Sequence, residues 1–448
     1  MIENGLEILG NEERLAFVEG LIASGLAAVN ARQAVQDGLK IEGGVLRTGN
    51  HAIPLRPGYR LRLLAVGKAA VPMAAGAVDA LGCELSDGLV ITKEIPTEMN
   101  LEWAGKLRIM KGGHPIPTRE SLESGQAVQD FLRNSREEDI ILALISGGGS
   151  SLVQLPVAGV SLEDLQTLYR YLLRSGAAIQ QVNTVRTHLD LLKGGGLLQM
   201  AAPARVVSLL ISDVQGDAVD LIASGLTCPV STTALMAVEV LIKHDLWDIA
   251  SVSICEALQS NRKVQLLGNP EPLDEINEII LNNSTAVEAV LGFARQAGWE
   301  ARNLNWVLFE EAKMTGKRLG MLLDHWRREE YKDRRICLVG GGETVVRVRG
   351  KGEGGRNLEV ALAAVDQIAG IKNTALITLA TDGEDGNTGV AGAVVSQRTQ
   401  QIARRLGLSA QDFLKDNNSL RFFEAVGGLN RTGSTGTNVN DLVILLGW

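Results

Sequence analysis

Short, largely apolar runs of five or six residues alternate along this chain with longer segments whose apolar residues recur at helical spacing. Leu61–Val66, Gly88–Thr92, Ile140–Ile145, Val206–Ile211, Arg335–Val339 and Ala375–Ala380 carry almost no polar interruption, the pattern of strands buried on both faces. Between them, Leu162, Leu165, Leu168, Tyr169 and Leu172 fall on one face of a helix over Leu162–Leu173, with Ser161 as its cap and Asp164 three residues on. Thr232–Lys243 and Ala286–Gln296 repeat the helical pattern, the second capped by Ser284 or Asn283 and ended by Gly298. Strands alternating with helices predict mostly parallel sheets covered on both sides.

The periodicity fades over Gln259–Leu273, which contains Asn-Pro-Glu-Pro and is the best linker. Two α/β domains are therefore expected, residues 1–260 and 261–448. In such folds the loops at the carboxyl ends of the strands build the ligand site.

Composition sharpens this picture. Glycine makes up 50 of 448 residues, about 11% against a usual background of roughly 7%. Neither a collagen period nor a polar low-complexity tract accompanies it, so the excess reads as loops built for close backbone approach to a ligand. The net charge of −8 gives no footprint for nucleic acid or an anionic membrane. Cys83, Cys228, Cys255 and Cys337 form no C-x-x-C pair, which suggests neither a disulfide framework nor a thiolate zinc site and fits a reducing compartment. No apolar run approaches the roughly 20 residues of a membrane span, and the acidic start lacks a signal pattern, so a cytoplasmic protein is expected.

The candidate chemistry lies in the loops. Gly67-Lys68-Ala69-Ala70 follows a strand and precedes a helix, where a lysine can meet an anion held by helix N–H groups or simply be solvated. Arg62 stands where a Walker A loop needs its first glycine. Gly112-Gly113-His114-Pro115-Ile116-Pro117 is a rigid loop presenting a histidine, in a structural or a catalytic role. Ser146-Gly147-Gly148-Gly149-Ser150-Ser151 offers converging N–H groups and hydroxyls suited to phosphate oxygens, and exceeds what a tight turn needs. On a helix, Arg186 and Lys193 share a face and point at an anion or at solvent. Asp213 and Asp217 just past a strand end suit Mg²⁺ or helix caps.

Gly350–Gly355 satisfies G-x-G-x-x-G, but its interleaved Lys351, Glu353 and Arg356 are unlike a bare pyrophosphate turn, and no ribose-binding acid follows at the right distance. Such a loop suits a phosphate or carboxylate better, because arginine grips those groups bidentately. Asp382-Gly383-Glu384-Asp385-Gly386 and Thr432–Asp441 close the series and are open to a turn reading as well.

In its order and loops the series resembles the class II glycerate kinase family, glycerate 2-kinases with a C-terminal MOFRL domain. The matching segments are Gly67–Ala70, Gly112–Pro117, Ser146–Leu152, Val182–Leu189 with Lys193–Gly195, Ser212–Gly225, Gly340–Asn357, Thr381–Gly386 and Thr432–Asp441. Leu226, Val230 and Ser434 depart from the family pattern and bear on substrate detail. The resemblance implies two three-layer α/β domains, an N-terminal Rossmann-like one with a mostly parallel sheet and a smaller C-terminal one, with the active site in a cleft between them. It implies ATP-dependent phosphorylation of D-glycerate at the 2-hydroxyl, giving 2-phosphoglycerate and ADP, with Mg²⁺ and with Lys68 and Arg356 as catalytic residues.

Together with the loop chemistry, it makes Ser146, Gly147, Gly148, Gly149, Ser150, Ser151 and Lys193 the expected nucleotide-phosphate ligands. Arg186, Lys351 and Asn357 are the expected substrate ligands, and Asp213 and Asp217 the metal ligands. A monomer or homodimer acting on small molecules follows. The competing expectations are a nicotinamide-dependent hydroxypyruvate reductase and a non-catalytic sensor of three-carbon acids or nucleotides.

Overall fold

The computed structural model describes residues 1–95, 106–267, 275–329 and 334–448. It divides into two units, residues 31–281 and a second made of residues 1–30 with 282–448.

The first unit opens with a small antiparallel sheet of β1 (Leu39–Glu42), β2 (Val45–Thr48) and β3 (His51–Pro54). Its main sheet holds β4 (Leu61–Val66), β5 (Leu85–Thr92), β6 (Leu107–Lys111), β7 (Ile140–Ile145), β8 (Arg205–Ile211) and β9 (Ile276–Leu281) in the order β6-β5-β4-β7-β8-β9. All neighbours are parallel. Every position of β4 and β7 is buried, as strands covered on both faces require. The chain lays strands outward from β4 on one side, then returns to lay β7, β8 and β9 on the other. That is the Rossmann-like order, and β4/β7 is its switch point, where ligands gather at the strands' carboxyl ends.

The second unit contains β10 (Glu300–Leu308), β11 (Ile336–Gly342), β12 (Thr374–Ala380), β13 (Gly392–Ser396), β14 (Leu429–Asn430) and β15 (Asp441–Gly447), ordered β10-β11-β15-β12-β13-β14. Only β10 and β11 pair in parallel. The expectation of parallel sheets fails here because the last strand inserts antiparallel between β11 and β12.

The units also divide differently from the expected 260/261 boundary. Residues 1–30 join the second unit because helix Glu12–Ala28 packs there through its aromatic and glycine positions. Phe17 stacks on Trp299 at 4.3 Å between ring centroids, and Trp299 meets Trp448 edge-on at 5.7 Å. The Asn269–Pro272 part of the expected linker lies outside the described residues.

The helices follow their caps. Leu162–Arg174 starts from Ser161, which shares a reciprocal capping box with Asp164. Helix Asn283–Gln296 starts earlier than expected, because Asn282 caps it by accepting the Thr285 N–H at 3.1 Å. Thr233 likewise caps Ala234–Lys243.

Candidate functional site

The switch point of the parallel sheet brings two glycine loops together. Val66 and Ile145 are register partners, so Gly67-Lys68 and Ser146–Ser151 leave the sheet side by side. The Lys68 N–H donates to Gly147 O at 2.9 Å, and the Ala69 N–H donates to Ser146 Oγ at 3.0 Å. Gly67, at φ 137°, allows this approach, because a side chain there would overlap Ser146. Ser146 and Ser151 are buried and engaged within the fold, the latter through its hydroxyl to Gly148 O at 3.2 Å. The loop therefore turns Gly148 and Ser150 outward.

Side chains converge over Gly148. A Cβ there would lie 3.2 Å from both His114 Cδ2 and Lys68 Cγ. Behind the loop, Gly147 touches the Asp213 carboxylate, and Gly149 packs on Ala223. Ala223, Ser224 and Gly225 all have left-handed backbones, a costly run of the kind that collects at functional sites. The Ser224 hydroxyl lies 2.9 Å from Ser150 Oγ and 3.0 Å from Asn183 Oδ1, linking the loop to helix Ile179–His188.

The His114 loop is held by three hydrogen bonds to two residues, Thr92 and Ser121. Gly112 N–H donates to Thr92 O at 3.0 Å, and Ser121 Oγ accepts from Gly113 and Thr118 N–H at 2.9 and 3.0 Å. Burial, then the charges of Lys68, Lys93 and Arg186, push the His114 pKa down to about 4, so its ring is neutral at pH 7. Lys93 was not expected from sequence. The signal was its place directly past the carboxyl end of β5, matching Lys68 past β4.

Two expected ligands have other partners. Helix Ile179–His188 ends before Lys193, which therefore shares no helical face with Arg186. Lys193 is 0% exposed, and its ammonium donates to Asp190 Oδ2 at 2.8 Å, Val153 O at 3.2 Å and Gln154 Oε1 at 3.3 Å. Its donors are spent on the fold, so it is not a phosphate ligand. Asn357 is buried in the first turn of helix Arg356–Ile368, where its N–H donates to Asp385 Oδ1 at 2.9 Å and its carbonyl accepts from Thr378 Oγ1 at 3.0 Å. Its buried side-chain amide also lies 3.5 Å from Asp385 Oδ1, so Asn357 braces the start of that helix.

In the second unit, Arg356 opens the same helix. Its Nε and Nη2 donate to Asp441 Oδ2 and Oδ1 at 2.5 and 3.0 Å, and Nη1 reaches Glu343 Oε1 at 2.5 Å. Glu343, Asp385 and Asp441 lay in the quoted loops without being singled out, since only folding places them at one helix start. Lys351 is exposed, with its N–H donating to Asp416 Oδ1 at 3.0 Å. Gly350 and Gly352 lie against Asp416 and Asn418, so these glycines admit the chain's own backbone. Residues 343–355 also separate β11 from the helix, unlike the tight strand-to-helix turn of a dinucleotide fold.

Comparisons with known proteins agree with the loop series. Residues 17–259 match a family model described as a domain of unknown function, DUF4147, and residues 336–441 match the MOFRL family. D-glycerate 2-kinase of Thermotoga maritima is 38% identical over 390 residues, covering 86% of this chain and 90% of that protein. The chain belongs to the glycerate kinase family with a MOFRL domain. Glycerate 2-kinase of Pyrococcus horikoshii is 35% identical, covering 95% of this chain and 96% of that protein. The crystal structure of the Thermotoga maritima glycerate kinase superposes with a TM-score of 0.82 at 35% identity, covering 97% of this chain and 99% of that one. The family also reaches an Agrobacterium vitis protein provisionally assigned as a hydroxypyruvate reductase, 34% identical over 88% of this chain and 89% of that protein.

For this glycerate kinase family member, no group of three or more His, Cys, Asp or Glu residues among the described residues is arranged as a metal cage. Mg²⁺ in phosphoryl-transfer sites is usually held by one or two carboxylates plus substrate phosphates, and Asp213 at the edge of the glycine loop fits that arrangement. No single helix is long and apolar enough to cross a membrane among the described residues.

Proposed function

We propose that this protein is an ATP-dependent D-glycerate 2-kinase. The observation that carries the reading is the hydrogen-bonded pair of loops at the switch point, with Lys68 and His114 drawn over Gly148. The glycerate 2-kinase relatives, at 35–38% identity over most of the chain, support the same activity. Phosphoryl transfer passes through a loose transition state, so positioning and charge stabilisation do most of the catalytic work.

In this reading the Gly147–Ser151 backbone and Ser150 hold phosphate oxygens, and Lys68 balances charge on the transferred group. Arg186 binds the acceptor, while Arg356, with its nitrogens on Asp441 and Glu343, orders the start of its helix within the second unit. Asp213, with Asp217 nearby in sequence, holds Mg²⁺, which when bound neutralises phosphate charge. The compartment is cytoplasmic, and the protein acts as a monomer or homodimer.

The test is ADP release with D-glycerate and Mg-ATP, with the product resolved as 2- or 3-phosphoglycerate. Lys68→Ala is expected to lose on the order of 10²–10³ in turnover, as for removal of one preorganised charge-stabilising donor. NADH oxidation with hydroxypyruvate, in place of ADP release, would establish the reductase reading instead.

A further inference from the structure

Arg186 is a buried cation without a counter-charge. It is 7% exposed, its Nε is enclosed with no hydrogen-bond partner, and no carboxylate pairs with it among the described residues. Its guanidinium stacks on the buried ring of Tyr169, with Cζ 5.2 Å from the centroid. A stacking contact satisfies none of the five donors of the fork. Burying a charge without partners is expensive, and the usual resolution is a pKa shift or an ion pair. An arginine cannot lose its proton in this way, so the missing partner is an anion.

The surroundings restrict that anion. The charge of Arg186 is felt at His114, whose ring stands with Lys68 over Gly148. Asn183, one turn earlier on the same helix, is tied through Ser224 to Ser150 of the glycine loop. The helix therefore sets Arg186 in register with the loop while leaving its planar fork for the ligand. A planar fork held on an aromatic face matches a carboxylate through two parallel N–H···O bonds, whereas the glycine loop and Lys68 suit tetrahedral phosphate.

Building on the kinase reading, we infer that Arg186 is the specificity-determining anchor for the carboxylate of the acceptor, a small 2-hydroxy acid, and not a ligand of the nucleotide. Arg186 is thus kept at the expense of stability in the empty protein and compensated when the acid binds.

Thermal unfolding of the full chain tests this without turnover, using D-glycerate, tartronate, inorganic phosphate and Mg-ATP as separate probes on wild type, Arg186→Gln and Arg186→Lys. The expected result is a rise in wild-type Tm with the hydroxy acids that Arg186→Gln lacks, while its response to Mg-ATP is kept. The unliganded Tm of Arg186→Gln equals or exceeds that of wild type, because a neutral amide replaces an uncompensated charge. Arg186→Lys keeps part of the hydroxy-acid response. In kinetics, the KM for glycerate rises about 10²- to 10³-fold in Arg186→Gln, the scale for truncating one side of a buried charge pair, with little change in the KM for ATP.

The inference is overturned if Arg186→Gln loses Tm yet keeps its response to hydroxy acids, which is the behaviour of a purely structural residue. It is also overturned if the variant loses the phosphate and Mg-ATP responses instead, or if neither hydroxy acid shifts wild type. Hydroxy-acid binding through Arg186 without ADP release would sink the kinase reading and leave the anchor standing.

Discussion

Arg356 grips Asp441 through two parallel hydrogen bonds, from Nε at 2.5 Å and from Nη2 at 3.0 Å, with Asp441 only 2% exposed. The arginine's pKa is shifted up: burial alone would lower it, and the neighbouring Asp441 and Glu343 carboxylates outweigh that. Arg356→Met leaves Asp441 buried and unpaired, which should cost about 3–5 kcal/mol. Adding Asp441→Asn should restore most of that loss. Urea unfolding of the two singles and the double checks the coupling. Additive losses would show that the pair is not a stabilising unit.

The Lys193–Asp190 pair gives a sharper separation of fold from catalysis. Both side chains are 0% exposed, and Asp190 also accepts from Leu155 N–H at 2.9 Å and Leu192 N–H at 2.9 Å. Lys193→Met is expected to lower stability by about 3–5 kcal/mol while the folded enzyme keeps its KM for ATP. A raised KM for ATP at undiminished stability would return Lys193 to the phosphate site.

Lys193 also shows where the sequence stops being legible. Apolar runs located the central strands of both units, because strands buried on both faces need unbroken hydrophobicity. The glycine loops were visible because only glycine permits approaches such as that of Gly67 to Ser146. Charge alone did not reveal what a cation would face. Lys193 and Arg186 look alike in sequence, yet one is consumed by Asp190 and the other has no carboxylate partner among the described residues. Long-range pairings such as Asp385 with the N–H groups of Asn357 and Leu358 exist only once β12 and the helix are in place. The position of β15 between β11 and β12 was equally hidden, because strand order leaves no mark on local periodicity.

Gly147 tests the loop geometry independently of charge. A Cβ there would fall 1.8 Å from Asp213 Oδ2 and 2.5 Å from its Cγ, so Gly147→Ala must displace either the loop or the carboxylate. The expected result is a fall in kcat/KM for Mg-ATP of on the order of tenfold or more, since misplacement by about 1 Å can cost 10²-fold. The Mg²⁺ concentration needed for half-maximal activity should rise with it. Unaltered kinetics would remove Asp213 and this loop from the site.

The pH dependence of stability follows from groups shifted in opposite senses. Burial, then the charge of Lys263, pushes the His188 pKa down to about 4, and burial with the Lys68, Lys93 and Arg186 charges does the same for His114. Each is neutral in the fold and protonated in the unfolded chain between about pH 4 and 6.5, so the unfolded state binds more protons there and stability falls as pH falls. Asp385 acts the other way. Burial pushes its pKa up to about 7 against two backbone N–H bonds, so the folded state holds its proton longer and stability falls as pH rises from about 4 to 7. Asp441 is shifted up in the same sense as Asp385, chiefly by burial. Comparing variants with wild type cancels the common groups. Between pH 4.5 and 6, His188→Gln should reduce the slope of unfolding free energy against pH by about 1.4 kcal/mol per unit, one proton's worth, and Asp385→Asn should increase it by a similar amount. Urea titrations at four pH values across that window measure both. Slopes identical to wild type in the His188 variant would mean that this histidine titrates normally and that its burial does not control its charge.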